Sequence, residues 1–160
     1  MINLIQSKSG KFVKKSLLRK IKKYIIEDET NYNYDLVGIC SHQNDYRLIW
    51  AMNELFDVQL EKPHDLFEIC SAKGDLLSFP YYIFRDRENF INIFFIKNKN
   101  EGSFLIPEKK QIDYFVFLIN NHLYDITHFI SKLKSISAIL AAYQFTPTEF
   151  NSTEHILFDE

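Results

Sequence analysis

Residues 104–119 read FLIPEKKQIDYFVFLI, two apolar runs separated by a proline and a short charged stretch. The second run, from Ile112 to Ile119, is apolar at both odd and even positions from Tyr114 onward. A strand with one wet face alternates, so a strand apolar on both faces reads as central in its sheet. Pro107 offers no backbone donor at the point where the preceding run, Ser103 to Ile106, stops. Glu108 and Asp113 stand five positions apart across this junction. Read as an acid/base pair they lack support, because five residues spanning a proline and a turn do not fix the distance between two carboxylates. Read structurally, Glu108 accepts hydrogen bonds from the free amides of the turn. Asp113, entering an apolar strand, then needs a partner such as Arg47, Arg85, a lysine or a tyrosine hydroxyl.

Outward from this strand the chain reads as a series of short strands. FINIFFIK (90–97) and LSFPYYIF (77–84) precede it, joined by RDREN, and Pro80 marks the earlier run as an edge strand or a bulge. DLFEIC (65–70) alternates, and Lys73-Gly74-Asp75 turns the chain after it. Residues 35–40 read as a further strand. SHQNDYRLIWAMNELF is the clearest helix, over 44–56, because Leu48, Ile49, Met52, Leu55 and Phe56 share one face. A second line, Tyr46, Trp50 and Asn53, runs beside that stripe. Trp50 on it is either one more core residue or part of an interaction surface. Ile126, Phe129, Ile130 and Leu133 give a second helix over 125–134, and residues 135–145 a closing strand. The sum is one α+β domain, an antiparallel sheet of about six or seven strands packed by two main helices, with short turns implying a meander.

IPEKKQIDY (106–114) resembles the signature of the IPExxxVDY family of bacterial proteins, with Ile112 where the motif has valine. DYRLIW (45–50) and LAAYQFTPTEF (140–150) are similar to that family's helix core and closing strand. The resemblance spans about residues 22–158, implies the same α+β domain, and brings no catalytic residue or cofactor with it. Pro107, Glu108, Asp113 and Tyr114 are then motif residues with a structural role. Residues 12–26 have helical spacing, but the family register makes 22–27 a strand. The domain accordingly runs over 22–160, and 1–21 reads as a flexible basic extension.

Charge divides along the same line. The first 23 residues carry eight Lys/Arg and no acid, and the remainder carries eleven Lys/Arg against twenty-one Asp/Glu. A basic arm suits nucleic acid, whereas an acidic body does not, since phosphate affinity rests on charge neutralisation. No stretch has the roughly 18 apolar residues of a membrane span, and the start lacks the apolar core of about 7–15 residues of a secretory signal. With two cysteines and no CxxC pair, the expectation is a cytoplasmic protein with reduced thiols and no membrane partner.

Candidate chemistry is sparse. Cys40, His42 and Asp45 gather at a strand-to-helix junction, where a helix N-terminus can activate a thiolate. No oxyanion-hole glycine pattern accompanies them. The five histidines show no HxH, HxxxH or HExxH spacing, so no metal site is expected, and four isolated glycines build no phosphate loop. The function expected is therefore a non-catalytic binding or adaptor protein without a cofactor, whose partner is another protein. The alternatives are a nucleic-acid-associated protein using the arm and an enzyme with a site near Cys40, His42 and Asp45.

Overall fold

The computed structural model describes residues 32–159. The basic extension over 1–21 and the strand expected at 22–27 lie outside the described residues.

Among the described residues nine strands and two α-helices follow in the order β1 (Tyr34–Cys40), α1 (Asp45–Phe56), β2 (Phe67–Cys70), β3 (Leu76–Phe79), β4 (Tyr81–Asp86), β5 (Ile91–Lys97), β6 (Lys99–Asn100), β7 (Ser103–Phe104), β8 (Tyr114–Ile119), α2 (Ile126–Lys134) and β9 (Ala141–Phe145). Five of them form one antiparallel sheet in the order β4-β5-β8-β1-β9, while β2-β3 and β6-β7 are separate two-stranded ribbons. The fold is α+β. The doubly apolar strand β8 is central, with β5 on one side and β1 on the other.

Each face of the sheet has its own cover, which is why β8 carries no polar face. Val116 pairs with Val37 and Phe95, and these residues meet Leu48, Ile49 and Met52 of α1 with Phe129 and Leu133 of α2. The two helices join where Phe56 stacks on Phe129, ring centroids 4.4 Å apart. On the opposite face Phe117 lies between Leu36 and Phe94, under Phe67, Ile69 and Phe79 of the β2-β3 ribbon. Each large apolar side chain so enclosed contributes about 1.5–3 kcal/mol.

The sheet has five strands rather than six or seven because Pro80 divides the run at 77–84. Residues before it pair with β2 and residues after it pair with β5, so one apolar stretch serves two sheets. A proline cannot donate to a ladder, and the hand-over falls where no donor is required. At the other end, residues 135–140 form turns rather than strand, and β9 is correspondingly short. Gly38 of β1 is required by packing: a Cβ there would stand 2.5 Å from Cε2 of Phe145 and 3.2 Å from two carbons of Ile112.

Candidate functional site

The junction that opens the sequence is organised by a residue the sequence does not single out. Asn98, completely buried just after β5, donates from Nδ2 to the carbonyls of Lys109 (2.9 Å) and Ile112 (2.8 Å). Its Oδ1 accepts from the Ile106 amide at 2.9 Å, and its backbone bonds to Asp113 and Leu105. The whole segment 105–113 is thereby fixed from inside, as buried polar groups must be when no water reaches them.

The two motif acids diverge. Pro107 begins a single 3₁₀ turn, Pro107–Lys109, and Glu108 reaches across to Ser152, accepting from its amide (3.0 Å) and its hydroxyl (2.7 Å). Burial is the largest single influence on Glu108 and raises its pKa, but hydrogen bonds from Ser152 and from the backbone amides of Glu108 and Asn151 together hold the carboxyl below its usual range. Asp113 accepts from the Ser41 amide at 2.8 Å, so its partner is a backbone N–H and none of the side chains expected. Ser41 in turn donates to the Ala138 carbonyl (2.6 Å) and accepts from the Gln43 amide (3.1 Å), tying the end of β1 to the turn before β9. Tyr114 is buried, stacks on Phe95 at 4.8 Å and donates to the Gln43 carbonyl at 3.1 Å. Burial first, then the charges of Asp45 and Asp113 and the neighbouring Tyr82, push its phenol up to about 12.

The Cys40 region does not assemble a nucleophile. Its half-buried thiol donates to the Gln111 carbonyl at 3.5 Å, and burial followed by the Asp113 charge raises its pKa. Thiolate chemistry needs the opposite shift. His42 is exposed, and the Asp45 carboxylate accepts from the Tyr46 amide at 2.8 Å. Among the described residues no group of three or more His, Cys, Asp or Glu converges in a way that could hold a metal ion. No helix among them is long and apolar enough to cross a membrane.

What α1 leaves outside is different in kind. Leu48, Ile49 and Met52 face the core, and the helix ends at Asp57, whose left-handed conformation returns its amide to the Asn53 carbonyl. Asn53 uses its side chain inwardly: Oδ1 accepts from the Leu60 amide (2.9 Å) and Nδ2 donates to the Leu60 carbonyl (3.3 Å). It holds the chain after the helix and leaves Tyr46 and Trp50 as the outer members of the line. Tyr46 is 56% exposed and Trp50 68% exposed, one turn apart. Arg47, also exposed, lies between them and donates to Gln43 Oε1 at 3.3 Å. Hydrogen bonds first with Asn44 and then with Arg47, together with the Arg47 charge, draw the Tyr46 pKa below its ordinary value. A tryptophan, a tyrosine and an arginine thus share one exposed helix face, the three residue types most enriched at interface hot spots. Arg47 was legible only as a possible partner for Asp113, because its outward direction depends on how α1 is seated.

Compared with known proteins, the chain matches no protein-family model and no curated protein.

Proposed function

We propose that this chain is a non-catalytic binding or adaptor protein of the cytoplasm that docks another protein on the outer face of α1. The observation that carries this reading is the exposure of Trp50, the sole tryptophan of the chain. On this well-anchored helix Tyr46 and Arg47 stand beside it, and the three together have the make-up of a hot spot that a partner would cover. The polar groups that looked catalytic support the same reading from the other side. Glu108, Asp113 and Cys40 each hold a neighbouring segment in place, and Asp113 and Cys40 do not join Glu108 in the cleft that it lines.

Membership of the IPExxxVDY family belongs to this reading, on the strength of IPEKKQIDY at 106–114. Pro107 and Glu108 dock the turn against Ser152, Asp113 closes the β1 end, and Tyr114 starts the central strand. These motif residues serve the fold, and the partner-binding residues lie elsewhere, at Tyr46, Arg47 and Trp50.

The test is affinity capture of the tagged full chain from its own host, with and without nuclease, beside Trp50→Ala. A protein partner that survives nuclease and is lost with Trp50→Ala supports the proposal. Capture that depends on nucleic acid shifts the reading to the basic arm, and capture indifferent to Trp50 overturns the α1 face.

A further inference from the structure

On the sheet face away from the helices, the β2-β3 ribbon, β7 and the turns Pro107–Lys109 and Asn151–His155 enclose an open cleft of about 320 Å³. Its walls include Ile69, Leu77, Phe104, Leu105 and Pro107, an apolar lining. Its polar rim is formed by Lys73, Asn151 and His155. The one carboxylate in it, Glu108, is turned to Ser152 and occupied by two hydrogen bonds.

Two more ammonium groups flank the same site. Lys99 and Lys110 lie over the Phe104 ring, 5.8 and 5.5 Å from its centroid. Among the described residues none of Lys73, Lys99 and Lys110 is paired with a carboxylate. Lys73 on the lining, with Lys99 and Lys110 against its Phe104 wall, sets three ammonium groups beside one apolar cleft, against the single carboxylate of Glu108, which Ser152 already engages. The backing is rigid, since Asn98 fixes Leu105 and Ile106 from beneath.

We infer that this cleft binds a small amphiphile, an apolar body carrying one anionic head. The volume admits roughly ten water-sized groups at about 30 Å³ each, within the range of preformed small-molecule sites. The body lies along Leu77, Phe104 and Pro107, and the head sits at Lys73, within the field of Lys110 beside Phe104. Neither Tyr46 nor Trp50 lines the cleft, so the inference stands apart from the α1 face.

Titration of the ¹⁵N-labelled full chain with octanoate, octanol and octylammonium tests it by NMR. Octanoate is expected to shift the amides of Ser71, Lys73, Phe104 and Ser152 together and saturably, at least tenfold more tightly than octanol, with octylammonium weaker still. Lys73→Gln combined with Lys110→Gln reduces octanoate to the affinity of octanol at an unchanged thermal midpoint. Ala72→Phe, at an exposed position on the lining, blocks the cleft and removes saturable binding, while Trp50→Ala leaves it intact. Equal affinity for octanoate and octanol, shifts centred elsewhere, or no saturable shift overturns the inference.

Discussion

Replacing Asn98, whose side chain is completely buried, with alanine removes three side-chain hydrogen bonds. The Ile106 amide loses its acceptor, the Ile112 carbonyl loses the Asn98 donor, and the Lys109 carbonyl loses one of two donors, keeping the Ile112 amide. Ile106 is itself completely buried, so its amide finds no replacement. A stranded buried donor costs about 1–3 kcal/mol, and each lost hydrogen bond to a carbonyl about 1 kcal/mol. Asn98→Ala is therefore expected to destabilise the domain by about 3–5 kcal/mol, measured by urea unfolding at constant m value. Asn100→Ala is the matched control, two positions along in β6. Its side chain makes one bond, to the Ser78 carbonyl at 2.8 Å, and its loss should cost about 1 kcal/mol. A loss below about 1 kcal/mol at Asn98, or equal losses at the two positions, refutes its role as the internal anchor of the motif segment.

Three further outcomes follow from the same structure. Gly38→Ala places a Cβ against Phe145 and Ile112 and should cost about 1–3 kcal/mol through overpacking, read by thermal unfolding; a neutral result shows that Phe145 moves freely aside. Asp113→Ala strands the Ser41 amide at the end of β1 and should cost about 1–3 kcal/mol, with Asp113→Asn recovering most of it because the amide oxygen still accepts. The Tyr114 phenol, neutral when protonated, titrates near 10 in the unfolded chain and at about 12 in the folded one. Between those values the folded state holds the proton and the unfolded state has released it, so stability is full below pH 10 and falls as pH rises toward 12. Urea melts across this window should show a shallower fall for Tyr114→Phe, and an unchanged slope contradicts the assignment.

Strand β8 and helix α1 are legible in the sequence because each is decided locally. Six consecutive apolar residues at Tyr114–Ile119 exclude a wet face, and the spacing of Leu48, Ile49 and Met52 admits only one face of a helix. The division at Pro80 is half legible. The proline shows that the ladder breaks, but only the competing partners β2 and β5 decide that the two halves enter different sheets. Residues 135–140 contain enough Ile, Ala and Leu for a strand, yet Ser41 captures the Ala138 carbonyl and the Cys40 carbonyl captures the Leu140 amide, so turns form there instead. Asn98 was not legible at all. In IKNKNEG it looks like any turn residue, and its role arises only when the segment 106–112 closes around its side chain. The same holds for the α1 face. Spacing places Tyr46, Trp50 and Asn53 on one line, but the distant backbone of Leu60 turns Asn53 inward and leaves the two aromatic residues outside.

The central claim is that Trp50 is open in the free protein and covered in the complex, and its fluorescence reports both states because no other tryptophan is present. In the free chain the account predicts solvent-like emission that iodide quenches freely. On titration with the partner isolated by nuclease-resistant capture, the emission shifts to the blue and iodide quenching falls, and Trp50→Ala weakens that binding by about 2 kcal/mol or more. Blue, unquenchable emission in the free chain, or quenching that is the same with and without the bound partner, contradicts the account.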